Sequence, residues 1–164
     1  MPLHDNRRLF EMLTLEGAQA GLSWRLVLSR RERYREVFFG FDIKRVAAMT
    51  DDALEALLTD PSMIRNRLKI WSVRGNARAA LSLAATEGGL DQYLWSFVGG
   101  RPIVNRPARR EDIPARTELS DRMSKGLQKR GFKFVGSTIC YAFMQATGMV
   151  NDHTTDCFRH AQLA

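Results

Sequence analysis

Basic residues and glycines stand together between Lys129 and Gly136, just before an apolar stretch that runs to Gly148. The spacing of Gly131 and Gly136 predicts a tight hairpin between two helices. Such a hairpin exposes backbone N–H groups at the start of the second helix, where the helix dipole also favours an anion. The chemistry that this pattern predicts is the binding of a phosphate oxygen.

The C-terminal residues include three side chains that could bind a metal: His153, Cys157 and His160. Their spacing places all three on one helical face, if the segment is helical. Histidine and cysteine are zinc ligands, and a structural zinc site uses four of them. Three such residues on one helical face can also be a coincidence, so the pattern leaves both interpretations open.

The charge of the chain agrees with a phosphate-bearing partner. Its 164 residues carry a formal net charge of +7, and the sequence pI is about 10.0. Arginine supplies most of the positive charge, and its planar guanidinium fits phosphate geometry well. Nucleic acid is therefore the leading partner, and a basic protein without a polyanionic partner is the alternative.

Helical periodicity dominates the chain, and these helices must position the groups above. Asp5 or Asn6, Asp42 and Thr50 are predicted N-caps. Further predicted helices run from roughly Arg65 to Thr86, from Leu90 to Val98, from Leu119 to Lys129, and from the hairpin onwards. Since no segment shows sustained strand alternation and 45% of residues are hydrophobic, we expect one all-α domain over residues 1–164.

Residues 99–116 form the one loop-like stretch, rich in proline and arginine. A solvated surface loop is favoured there over a DNA-binding arm.

Two cysteines, Cys140 and Cys157, do not form a disulfide framework, so a reducing cytoplasm is expected. No apolar run reaches the ~18 residues that a membrane span needs, and the N-terminus lacks the apolar core of a signal peptide.

Several segments, in one register from about Pro2 to Cys157, resemble the signature segments of bacterial 3-methyladenine DNA glycosylase I, of the helix-hairpin-helix glycosylase superfamily. They are LEGAQAGLSW (Leu15 to Trp24), MIRNRLKI (Met63 to Ile70), WSF (Trp95 to Phe97) and FKFVGSTICYAFMQATGMVNDH (Phe132 to His153). The resemblance implies two helical lobes with a base pocket between them. It also implies a monomeric enzyme that flips 3-methyladenine out of alkylated double-stranded DNA and excises it, leaving an abasic site.

Adenine methylated at N3 is positively charged, so its glycosidic bond is already weakened. An aromatic face attracts a cation by ~0.5–2 kcal/mol, and a carboxylate adds charge and hydrogen bonds. By the resemblance, Glu16 is the catalytic and base-reading carboxylate and Trp24 stacks on the base. Leu22, at the break between two helices, is an apolar side chain that could fill the gap left by the flipped nucleotide. The alternatives are a solvated carboxylate, a core indole and a core leucine at a helix start.

The resemblance also places the hairpin, from Gly131 to Gly136, on the DNA backbone, with Lys129, Arg130 and Lys133 beside the phosphates. No lysine stands where a Schiff-base step would need one, so water is the expected nucleophile.

Many relatives in the superfamily place an essential aspartate shortly after the second helix of the hairpin, which corresponds to Asp152. The glycosylase I branch is considered independent of it. Asp152 could instead cap a helix or orient His153.

The family carries a structural zinc ion, and His153 and Cys157 match its C-terminal pair of ligands. The family sequences begin with a further N-terminal segment that holds the other two ligands and part of the base pocket, and this chain matches them from just after it. His4 lies beyond the family's N-terminal histidine ligand, and Cys140 belongs to the core pattern. Zinc is therefore expected only if His160, His4 or water completes the site.

That difference in length keeps two alternatives open. One is a non-catalytic helix-hairpin-helix protein that binds damaged DNA without cleaving it, and the other is a natural protein that is longer than this chain.

Overall fold

The computed structural model describes residues 2–163. In that range the chain forms nine α-helices: α1 (Asn6–Gln19), α2 (Trp24–Val37), α3 (Ile43–Ala47), α4 (Asp51–Ala56), α5 (Arg67–Thr86), α6 (Leu90–Ser96), α7 (Glu118–Lys129), α8 (Ser137–Ala146) and α9 (Phe158–Gln162). Two 3-10 turns lie at Phe39–Phe41 and Arg110–Asp112, and two short strands are β1 (Ile103–Val104) and β2 (Val150–Asn151).

The predicted N-caps set the helix starts. The side chains of Asp5, Asp42 and Thr50 each accept a hydrogen bond from a backbone N–H three residues later, at 2.8, 3.0 and 3.2 Å. Each such cap contributes about 1 kcal/mol. The long helix α5 begins at Arg67, two residues later than the sequence indicated, because Asn66 provides its cap.

Helix α1 lies at the centre of the fold and packs against α2, α5, α6 and α8, while α3 packs on α5 and α7 on α8. The buried apolar residues form one cluster, whose largest side chains with less than 2% of their surface exposed are those of Phe10, Tyr34, Phe38, Phe41 and Phe143. The expectation of an all-α fold is confirmed. None of the helices in the described range is both long enough and apolar enough to cross a bilayer.

A short parallel strand pair fastens the loop of residues 99–116 to the segment after α8. Ile103 lies opposite Val150, and Val104 lies opposite Asn151. Two residues per strand are too few to show alternation in the sequence, which is why the pair was not predicted. The arginines of this loop are exposed, as expected for a solvated surface segment.

The C-terminal segment is helical only after Cys157. Helix α9 begins only at Phe158, and Cys157 is its N-terminal flanking residue. The hypothesis of three ligands on one helical face is therefore wrong, because residues 152–157 are not helical.

Candidate active site

Glu16 lies in the last turn of α1 and is a buried carboxylate, with 2% of its surface exposed. Its Oε2 atom has no hydrogen-bond partner among the described residues. Burial raises the pKa of Glu16 from 4.5 to about 7, because desolvation disfavours the charged form. The alternative of a solvated carboxylate is wrong, since Glu16 faces the interior and has an oxygen free to accept a hydrogen bond.

A bend of four residues follows α1 and carries the other residues expected around the base. Leu22 lies in this bend, half-buried against the core, and its backbone carbonyl accepts a hydrogen bond from the Gln19 side chain at 2.8 Å. Trp24 is the first residue of α2, which is capped by Ser23. The Trp24 indole is 37% exposed, so it is not a core residue.

No hydrogen bond or ring contact joins Glu16 to Trp24 within residues 2–163. Their joint role in reading a base stays a prediction. A cavity of about 350 Å³ lies along α1, and its lining includes Arg8, Glu11 and Met12. Neither Glu16 nor Trp24 lines this cavity.

The hairpin of residues 130–136 connects α7 to α8 as the glycine spacing predicts. Gly131 has φ +88°, a left-handed conformation that glycine adopts without strain. Gly136 is the N-cap of α8 and offers no side chain to the helix, so the first N–H groups of α8 have no side-chain cap. Phe134 also has a left-handed backbone, with φ +56°. This arrangement suits an anion at the start of α8.

The three basic residues named for DNA binding differ in their surroundings. Lys129 and Lys133 are exposed. The guanidinium of Arg130 lies 4.2 Å from the centre of the Tyr93 ring, and it donates to the Tyr93 hydroxyl at 2.9 Å. Arg130 also forms an ion pair with Glu87. These contacts anchor Arg130 to α6 and the end of α5, so Lys129 and Lys133 are the freer cations.

Asp152 is a buried carboxylate with three hydrogen-bond donors. It accepts from Asn105 Nδ2 at 2.7 Å, from the Tyr141 hydroxyl at 2.6 Å and from Gln145 Nε2 at 2.7 Å. Within the described range its side chain neither caps a helix nor forms a hydrogen bond with His153, contrary to the alternatives drawn from the sequence. The three bonds tie α8 to the loop after β1, which gives Asp152 a structural role.

His153 and Cys157 do approach each other, with 3.7 Å between Nδ1 and Sγ. His160 points elsewhere, because its Nε2 donates to the Asn105 carbonyl at 2.8 Å. His4 bonds to Asp91 at 3.0 Å and stacks on Trp95. Burial raises the pKa of the Cys140 thiol to about 12, which opposes the thiolate that a metal needs.

The two residues predicted as C-terminal zinc ligands therefore lie close to each other. Within the described range no group of three or more histidine, cysteine or acidic side chains could hold a metal. The residues of this range do not complete a zinc site.

Two polar side chains of α5 contact the candidate site and were not identified from the sequence. They are Lys69, which bonds to the end of α1, and Asn76, which bonds to the hairpin. Their signal in the sequence is a lysine and an asparagine on the same helical face as Val73, Ala77 and Ala80, which predicts burial of that face.

Comparison with known proteins agrees with this geometry. The family model of methyladenine glycosylase matches residues 1–160. DNA-3-methyladenine glycosylase 1 of Escherichia coli K12 is 50% identical over 157 residues, which cover 96% of this chain and 84% of that protein.

Solved structures share the fold closely. A crystal structure of 3-methyladenine DNA glycosylase I superposes with a TM-score of 0.93 at 51% identity, covering 96% of this chain and 87% of that one. The Staphylococcus aureus enzyme, described for its recognition of 3-methyladenine, also gives 0.93, at 33% identity over 96% of this chain and 84% of its own. A family match along nearly the whole chain, with a matching fold, shows that the chain belongs to the methyladenine glycosylase family.

Proposed function

We propose that this protein is a DNA repair glycosylase that hydrolyses the N-glycosidic bond of 3-methyladenine in alkylated DNA and leaves an abasic site. The observation that carries this function is the buried, unpaired carboxylate of Glu16 in a chain 50% identical to a DNA-3-methyladenine glycosylase. The non-catalytic DNA-binding alternative is not favoured, since the relatives compared above are named as glycosylases.

The cationic base and the buried carboxylate complement each other. A positive charge beside Glu16 lowers the pKa of the carboxyl group below the value of about 7 that burial alone gives. The ionised carboxylate then stabilises the flipped base through charge and through hydrogen bonds from the base to Oε2. Neutral adenine brings no such charge, so the site selects the methylated base.

The reaction needs no acid to protonate the base. Water attacks C1′ of the sugar, the bond from C1′ to the base nitrogen breaks, and its electron pair neutralises the cationic base. The extra proton of the attacking water is released to solvent. The contribution of Glu16 is to hold the base while its charge is lost, and Trp24 supplies an exposed aromatic face for stacking.

The hairpin is the proposed binding site for the DNA backbone. The uncapped first turn of α8 and the exposed Lys129 and Lys133 supply donors and charge for a phosphate, and Leu22 fills the place of the flipped nucleotide.

Lys133→Ala should reduce the slope of log Kd against log salt by about 1, since one phosphate contact is lost. Lys44→Ala, an exposed lysine on α3, is the matched control and should leave the slope unchanged.

Zinc binding, a monomeric state and a cytoplasmic location remain predictions. The approach of His153 to Cys157 supports zinc binding. The two free cysteines support a cytoplasmic location. Elemental analysis of the purified protein, with His153→Ala as its control, measures zinc directly. One zinc per chain, lost in the variant, supports the site, and a metal-free parent contradicts it.

The activity is tested with methylated duplex DNA and purified protein. Mass spectrometry of the released bases should detect free 3-methyladenine with the parent and little of it with Glu16→Gln. DNA binding without any base release by the parent would instead establish the non-catalytic alternative.

A further inference from the structure

Two buried polar side chains of α5 face the candidate active site. Lys69 and Asn76 are 7% and 5% exposed, and they stand seven residues apart on one face of α5. A buried ammonium or amide is costly unless its hydrogen bonds are satisfied, so their partners show what holds them there.

The partners of Lys69 belong to the bend after α1. Its Nζ donates to the carbonyls of Ala18 at 2.7 Å and Ala20 at 2.6 Å. These carbonyls flank the C-terminal end of α1, where the helix dipole favours a positive charge. One ammonium therefore fixes the backbone between Glu16 and Leu22, two of the residues proposed to meet the base.

The partner of Asn76 is the backbone of the hairpin. Its Nδ2 donates to the Lys133 carbonyl at 3.0 Å, and its Oδ1 accepts from the Lys133 N–H at 2.8 Å. The next residue, Phe134, has a left-handed backbone, which a non-glycine residue adopts only when its surroundings stabilise it. The two bonds from Asn76 supply that stabilisation.

The two supported elements also touch each other. A Cβ built on Gly17 would lie 3.0 Å from the Phe134 Cβ and 3.1 Å from its carbonyl oxygen. Helix α1 and the hairpin are therefore packed closely just beside Glu16. Two side chains that lie two turns apart on one face of α5 therefore form hydrogen bonds to the two elements: Lys69 to the end of α1, and Asn76 to the hairpin.

We propose that Lys69 and Asn76 are positioning residues of the glycosylase: Lys69 sets the base-reading bend, and Asn76 sets the phosphate-binding hairpin. The inference rests on the proposed function. It predicts separable defects, because each side chain supports a different half of the substrate contact.

The Lys69 half is tested with Lys69→Met, which keeps the length of the stem and removes the donors. We expect the affinity for free 3-methyladenine, measured by tryptophan fluorescence, to fall about tenfold, as for the loss of roughly one hydrogen bond to a charged group. The affinity for duplex DNA with an abasic-site analogue should stay within about twofold of the parent. Lys69→Arg, which retains donors for both carbonyls, should restore part of the base affinity.

The Asn76 half is tested with Asn76→Ala. We expect the opposite pattern: DNA affinity falls about tenfold, while the affinity for the free base stays within about twofold of the parent. Ser72→Ala is the matched control, because Ser72 is a buried α5 residue whose hydroxyl, among residues 2–163, bonds only to the Lys69 carbonyl of the same helix. It should leave both affinities at the parent level.

The crossed pattern decides between positioning and general stabilisation. Equal losses of both affinities in each variant, following the melting temperature, would overturn the inference, and so would parent-like values in both variants. If either variant fails to fold, Lys69→Gln or Asn76→Asp, each of which keeps one of the bonding groups, takes its place in the same assays. Failure of the proposed function is distinct, since the parent itself would then release no 3-methyladenine.

Discussion

The two halves of helix α1 each bury a glutamate, and the two glutamates are in opposite states. In the first half, Glu11 accepts hydrogen bonds from Arg31 Nε and Arg35 Nε, both at 2.8 Å, and these bonds join α1 to α2. In the second half, Glu16 has a buried oxygen without a partner. A buried carboxylate with paired charges is a structural element, whereas one without them is costly to the fold and suited to a ligand.

The difference teaches how the fold separates stability from recognition. Arg31 and Arg35 of α2 pair with Glu11 in the first half of α1, and among the described residues no ion pair reaches Glu16. Glu16 therefore keeps a raised pKa and an accepting oxygen, and the cost is carried by the rest of the core.

The largest expected effect is on base release. Glu16→Gln should slow the single-turnover release of 3-methyladenine about 1,000-fold, because a buried charge that meets a cation is worth about 3–5 kcal/mol. Glu11→Gln, a change of the same kind five residues earlier, should leave the rate within a few-fold of the parent. Equal loss of rate in both variants would remove the distinction between the two halves.

The next effect is on stability and its pH dependence. Because the folded pKa of Glu16 is about 7 and the ordinary value is 4.5, the folded protein keeps a proton that the unfolded chain loses between these values. The free energy of unfolding therefore falls as pH rises from about 4.5 to about 7, by roughly 3 kcal/mol in total.

Glu16→Gln should remove this fall, so that the variant is more stable than the parent at pH 8 and similar to it at pH 4. Urea unfolding across this range measures both curves. A difference between variant and parent that did not change with pH would show that Glu16 titrates normally.

A smaller effect on stability should follow when Glu11, in the first half of α1, loses its charged partners and becomes unpaired like Glu16. Replacing Arg31 and Arg35 together by methionine leaves Glu11 without its partners and should lower the free energy of unfolding at pH 7 by about 1–3 kcal/mol. Adding Glu11→Gln to the same protein should recover much of that loss. No recovery would mean that the arginines stabilise the fold through their stems and not through the ion pairs.

The smallest effect concerns the contact of the second half of α1 with the hairpin. Gly17→Ala gains up to about 1 kcal/mol of helix propensity, and its Cβ presses on Phe134 at 3.0 Å, so the net change in stability should stay within about 1 kcal/mol. DNA affinity should fall a few-fold as the hairpin shifts. Gly75→Ala, a helical glycine in α5 with open space around its Cβ, should gain stability without losing DNA affinity.

Several features of the site could be predicted from the sequence because they depend on neighbours along the chain. The glycines of the hairpin indicated its turn, and Gly21 indicated the bend between Glu16 and Trp24. The C-terminal segment shows the limit of this reasoning: the spacing of His153 and Cys157 would place them on one face only if the segment were helical, yet a loop brings the two side chains together.

By itself, the sequence determined the order of the main helices, the N-caps Asp5, Asp42 and Thr50 and the place of the hairpin, because each depends on hydrogen bonds or steric limits within a few residues. The resemblance of its segments added Glu16 and Trp24 as candidates. Only the tertiary structure decided that Glu16 is buried and unpaired while Glu11 is paired. It also decided that Lys69 and Asn76 hold the bend and the hairpin, in contacts that span 49 to 57 residues of chain. Burial and pairing at such separations depend on how whole helices pack, which local patterns do not specify.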